Sequence, residues 1–166
     1  MANLTHNINY LQPSGFSVVI DRKNYPNLEY FAQTVSHPGA TVSETEIPFR
    51  NTNIPFTGDT VNYTDVSFNF LVDEDMEGYI EIYQWLLRNL QTNRRGASQA
   101  VREDIPPTEA DITLNILSSH NNPIRKIKYY NAFPTNIGEL NFAATTNDVE
   151  PLTFSAQFRF AYFEIL

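Results

Sequence analysis

The chain has no cysteine, which excludes a disulfide framework and any thiolate metal site. Basic residues are outnumbered: 11 Lys and Arg face 19 Asp and Glu, a formal net charge of −8. A nucleic-acid binder held by counterion release needs a basic face, and this balance argues against one. It is compatible with a wall past which DNA slides, since repulsion keeps a polyanion from sticking. No apolar run approaches the roughly 20 residues of a membrane helix. Met1 to Gln12 has neither a basic n-region nor an apolar h-region, so no signal peptide and no export are expected. Neither a P-loop, a dinucleotide fingerprint, a Gly-x-Ser-x-Gly elbow nor an H-E-x-x-H motif occurs.

What the chain does have is aromatic and apolar bulk. Twelve Phe and nine Tyr stand against six Gly, and 42% of the 166 residues are hydrophobic. That composition favours pleated, half-buried surfaces over flexible loops, and the length suits one domain with arms.

The predicted organisation is an N-terminal arm over 1–13, which reads equally as a frayed terminus, followed by a single β domain over 14–166. Strands are expected at Gly15–Ile20 and Leu28–Ser36. A long hairpin over 40–64 follows, its tip near Asn51–Asn53, with prolines Pro48 and Pro55 that confine it to sheet edges. A hairpin alone is marginal in water, so its large apolar residues call for folding back or for a partner. The candidate interface residues are Ile47, Phe49, Arg50, Ile54, Phe56 and Asp59.

Val66–Val72 alternates cleanly as a strand. The helix is expected over 76–90, with Tyr79, Ile82, Tyr83, Leu86 and Leu90 at helical spacing. A polar loop over 91–110 leads to a strand at Asp111–Leu117, then to another at Ile124–Ala132. Residues Phe133–Leu140 read as a corner before a short strand ending at Phe142. The final segment, Leu152–Phe163, alternates strictly and predicts one strand of about 40 Å, at about 3.3 Å per residue. The fold class expected is mainly β: an antiparallel sandwich or barrel with one packed helix and a protruding hairpin.

Candidate chemistry is thin. His6, His37 and His120 lie far apart and read as solvated turn residues. Asp73, Glu74 and Asp75 suit a divalent cation or, more simply, the cap and positive end of the helix. Arg125, Lys126 and Lys128, interleaved with Ile127 and Tyr129, superficially match a nucleic-acid platform and equally one half of a charged subunit contact. No catalytic, cofactor or metal site is expected, and the chain reads as a structural protein.

The C-terminal third resembles the tail tube proteins of T-even-type contractile bacteriophages. The resemblance is carried by Pro134, Thr135, Asn136, Ile137, Gly138, Glu139 and Leu140, with the alternating terminal strand behind them. Phe16–Ile20, the Ser36-His37-Pro38-Gly39 corner, the hairpin from Ile47 to Asp59 and the strand and helix from Phe68 to Trp85 follow the same order. Type VI secretion tube proteins are similar. The resemblance implies a subunit of stacked hexameric rings in a virion tail, whose lumen conducts DNA during delivery. Implied partners are other copies of itself, the tail sheath, the baseplate hub or tube initiator, and the tape measure protein and DNA in the lumen; no cofactor is implied. A baseplate initiator or other tube-like ring protein is the alternative within the family. A monomeric β-sandwich carbohydrate-binding module, using Tyr129–Asn131 or Asn62-Tyr63, and a hydrolase built on the acidic cluster are the alternatives outside it.

Overall fold

A computed structural model describes residues 10–21, 23–26, 28, 32–95, 106–143 and 151–166, without the side chains of 91–95. The elements run β1 (Phe16–Ile20), β2 (Ala32–Ser36), β3 (Ala40–Phe49), β4 (Thr52–Tyr63), β5 (Val66–Leu71), α1 (Glu77–Arg95), β6 (Ala110–Leu117), β7 (Pro123–Ile137), β8 (Thr153–Arg159) and β9 (Tyr162–Ile165). Seven strands form one antiparallel sheet in the order β1-β6-β7-β8-β5-β2, with β9 also on β7; β3 and β4 form a separate two-stranded ribbon.

Alternation decides the faces. Val66, Phe68 and Phe70 of β5 are buried, as are Phe154, Ala156 and Phe158 of β8, while their neighbours point away. β1 and β6 repeat the pattern with Val18, Ile20, Ile112 and Leu114. These residues belong to one apolar cluster with Ile82 and Trp85 of α1 and with Tyr25 and Leu28. The helix covers the apolar side of the sheet because Ile82 and Trp85 recur at helical spacing on one face. Asp73 Oδ2 accepts from the Glu77 amide at 3.3 Å at the helix start, the capping role expected of the acidic cluster.

β7 is the long central strand. Residues 127–130 pair with β9 and residues 133–137 with β8, while β6 lies along the other edge. At Asn131 the chain takes a left-handed φ of 52°, and the β6–β7 register shifts between Ala110 and Ile112. This bulge adds a residue to β7 and bends it.

Several expectations are corrected. The terminal segment is two strands, not one: β8 ends at Arg159 and β9 begins at Tyr162. Both keep the same offset along β7 (Phe133 opposite Arg159, Tyr130 opposite Tyr162), so the break is a kink that follows the bend at Asn131. The corner over 133–140 is largely strand: β7 continues through Ile137, held by β8, and 138–143 carries no strand. The helix outruns its predicted end and reaches Arg95, so the loop after it is shorter than 91–110. The sheet does not close into a barrel among the described residues: β1 pairs only with β6, and β2 only with β5. The second strand is seen over Ala32–Ser36, and the arm over 1–9 lies outside the described residues.

Candidate assembly interface

The ribbon β3–β4 stands apart from the core. Cross-strand pairs run from Phe49 opposite Thr52 through Ile47 opposite Ile54 to Thr45 opposite Phe56. Because side chains alternate, these pairs share one face. The other face carries Glu44, Glu46, Pro48, Asn53, Pro55 and Thr57, with Asn53 Nδ2 donating to Glu46 Oε2 at 2.8 Å. The ribbon is therefore amphipathic with no core of its own: Ile47, Phe49 and Phe56 are 51%, 55% and 52% exposed. At its tip Arg50 takes a left-handed φ of 56°, and its guanidinium sits 5.5 Å from the centre of the Phe49 ring.

Asp59 sits in an irregularity where the register shifts between Val42 and Glu44. Gly58 beside it is required by close approach, since a Cβ there would lie 2.8 Å from the Ser43 carbonyl oxygen and closer still to its hydroxyl. The structure thus gathers Ile47, Phe49, Ile54 and Phe56 on one face, places Arg50 at the tip and sets Asp59 lower down.

The ribbon joins the body through an aromatic joint that local sequence did not reveal. His37, just before β3, meets Tyr129 Oη through Nδ1 at 2.7 Å and packs edge-on against Phe163 at 5.0 Å. Tyr63, the last residue of β4, packs against the same Phe163 and against Phe160. Burial lowers the His37 pKa below its ordinary value and raises that of the Tyr129 phenol. The one available signal was the inward phase of Tyr129 in β7; its partner lies 92 positions away.

The corner residues act on β8. Pro134 is buried, and Thr135 Oγ1 donates towards the Gln157 carbonyl at 3.2 Å and Asp65 Oδ2 at 3.3 Å. Asn136 Nδ2 reaches Gln157 Oε1 at 3.5 Å. The Gly138 amide donates to the Ser155 carbonyl at 2.6 Å, and a Cβ at 138 would collide with the Ser155 side chain. Leu140 packs against the core, and Glu139 is exposed. The motif is an internal clasp between β7 and β8.

The basic trio divides. In the β6–β7 register, Lys126 and Lys128 lie opposite Asn115 and Thr113 on the polar face, whereas Arg125 lies opposite Ile116 in the other phase. Lys128 Nζ is 2.9 Å from Asp111 Oδ2 and lies over the Tyr130 ring. The hydrogen bond to Asp111 chiefly holds its ammonium above the ordinary range. Tyr130 stacks on Tyr162 at 4.6 Å and donates to Glu164 Oε2.

Among the described residues, no group of three or more His, Asp or Glu is placed to hold a metal ion. No described helix is long and apolar enough to cross a membrane. What the geometry offers is an exposed amphipathic ribbon and sheet edges that are unpaired among the described residues, the features of a surface built for association.

A family model for phage tail tube proteins matches residues 3–166. The chain belongs to the phage tail tube family. As a tail tube family member it is a component of the virion tail, and its relatives are structural proteins, not enzymes. The tail tube terminator protein of Enterobacteria phage T4 is 27% identical over 140 residues, spanning 81% of this chain and 76% of that protein. The tube-terminating cap of the anti-feeding prophage superposes with a TM-score of 0.68 at 15% identity, covering 100% of this chain and 99% of that one. The tube–sheath assembly of the extracellular contractile injection system PVC, in its extended state, gives 0.65 at 16%, with 95% and 91% covered. At those identities the two structures establish a shared fold. This tail tube family member is thus similar in sequence to a tube terminator and in fold to the tube and cap proteins of contractile injection systems.

Proposed function

We propose that this chain is a ring-forming subunit at the end of a contractile tail tube, a terminator ring that stops tube growth. The observation that carries the reading is the 27% identity to the T4 tail tube terminator. Repetition of one copy around an axis gives β1 and β2 neighbours for edges that are unpaired among the described residues. The apolar face of the ribbon, Ile47, Phe49, Ile54 and Phe56, with Arg50 at its tip, faces the adjoining ring. The ring is a homohexamer whose lumen is continuous with the tube and passes DNA. The sheath end, the baseplate-side tube and the tape measure protein are the remaining contacts.

The resemblance of the corner Pro134–Leu140 to tail tube proteins supports a second reading, the repeating tube subunit itself. Electron microscopy of the purified chain, alone and with tube protein from the same tail, separates the two. Discrete rings that cap tube ends without extending them support the terminator. Long tubes formed by this chain alone support the repeating subunit. Monomers that neither close into rings nor bind tube ends sink both.

A further inference from the structure

The chain enters the ribbon through residues 37–39 and leaves it through 63–64. Thr64 N donates to the Gly39 carbonyl at 3.1 Å, and Gly39 N donates to Thr64 Oγ1 at 2.9 Å, closing the base of the ribbon on itself. Its attachment to the sheet then rests on His37 and Tyr63, which flank Phe163 from β3's entry and β4's exit. The polar link in this joint is His37 Nδ1 to Tyr129 Oη.

We infer that this bond is a pH-sensitive latch: neutral His37 holds the ribbon against the body, and protonated His37 lets it swing.

The reason is hydrogen-bond polarity. The Tyr129 ring is fully buried beside Phe160 and Phe163. With its proton on Nε2, the tautomer that satisfies the buried phenol, neutral His37 accepts the Tyr129 hydroxyl proton at Nδ1. Imidazolium donates at both nitrogens. It reverses the bond and strands the Tyr129 hydroxyl hydrogen in an apolar cluster, a desolvation cost that the native joint avoids. The cluster's other titratable side chain is Tyr63 from β4. β9 contributes Phe163, while Glu164 turns to the opposite face and accepts from Tyr130. Burial acts downward on the His37 pKa, and among the described residues no carboxylate is bonded to its ring. Linkage follows: the joint is fully held above the ordinary histidine value of 6.5 and is lost as pH falls through the lower value of the folded chain.

The composition supplies a clean probe. With one Trp and no cysteine in the chain, an Asn51→Cys variant carries a single fluorophore at the ribbon tip, with Trp85 as energy donor in the core. Between pH 7.5 and pH 5, transfer from Trp85 and anisotropy of the label are both expected to fall, with a shared midpoint below 6.5. Adding His37→Gln, which accepts the Tyr129 proton and does not titrate, is expected to hold both signals at their pH 7.5 values. Adding Tyr129→Phe is expected to give the low-pH signals already at pH 7.5; His37→Gln decides alone where that variant does not fold. Signals that stay flat from pH 7.5 to 5, or that fall equally with His37→Gln, overturn the latch.

Discussion

Tyr25 lies flat on Trp85, ring centroids 4.3 Å apart and planes 15° from parallel, and its hydroxyl accepts from Arg88 Nη2 at 2.8 Å. The stack fastens the segment after β1 to the helix, which also grips the chain ahead of β6 through Trp85 Nε1 and the Thr108 carbonyl at 2.6 Å. Tyr25→Ala is expected to cost about 3–5 kcal/mol, the range for deleting a buried aromatic. Tyr25→Phe keeps the stack and removes the hydrogen bond to a charged donor, costing about 1.5–3 kcal/mol. Urea unfolding followed by Trp85 fluorescence measures both; equal losses for the two would show that the stack itself contributes nothing.

The same tyrosine sets an alkaline limit. Burial is the largest cause pushing its pKa up, to about 12, with Arg88 acting in the opposite direction. A phenol raised above its ordinary 10.0 contributes stability that is whole below pH 10 and is lost as pH rises towards 12. Unfolding midpoints in urea should therefore fall across that window, and Tyr25→Phe should flatten that slope.

Ribbon substitutions should separate folding from assembly. Phe49→Ser and Phe56→Ser remove side chains that are more than half exposed and lie outside the core, so subunit stability is expected to change by no more than about 0.5 kcal/mol. If the chain assembles as proposed, association between its rings should fail. Thermal melting and electron microscopy of the same sample test this, and normal association in the double variant would exclude the apolar face as the contact.

Gly138→Ala should damage the body instead. Its Cβ meets the Ser155 hydroxyl and backbone at distances that require movement, where the clasp between β7 and β8 is tightest. Overpacking of this kind costs about 1–3 kcal/mol, read as a lower urea midpoint with unchanged slope. Wild-type stability in this variant would mean that the clasp yields freely.

Asp73→Ala removes the carboxylate that accepts from the Glu77 amide and should cost about 0.5–2 kcal/mol. Asp73→Asn should recover most of it, since an amide oxygen can accept the same bond. Asn behaving like Ala would point to charge rather than capping.

Strand phase was legible wherever one face is buried. Val66 to Phe70 and Phe154 to Phe158 lie where alternation puts them. The two arms of the ribbon were legible from its prolines, but its turn lies at Arg50–Asn51, earlier than the expected Asn51–Asn53, because Phe49 pairs with Thr52. Breaks were harder. Nothing near Phe160 and Ala161 marks a kink, because its cause is the left-handed Asn131 on the neighbouring strand. Gly138 falls in the expected corner, yet its small size serves close contact with Ser155 within a β7–β8 pairing. Arg125 and Lys126 looked like one patch, but adjacent strand residues face opposite ways. His37 carried no local mark of its role, since its hydrogen bond to Tyr129 links the β2–β3 connection to β7, two parts of the chain that are not neighbours in the sheet.

The strand order also governs how the molecule comes together during synthesis. Among the described strands β2 and β5 reach the rest of the sheet through β8, which is translated after both of them and after β7. Until residues 153–159 have left the ribosome, the β5 and β7 edges that β8 will occupy stand open, and the pairings it supplies span up to some ninety positions of chain. Closure is therefore a late event with a high loop cost. A nascent chain that paused before β8 would expose two sticky edges at once, so slow translation across this point should favour aggregation over folding.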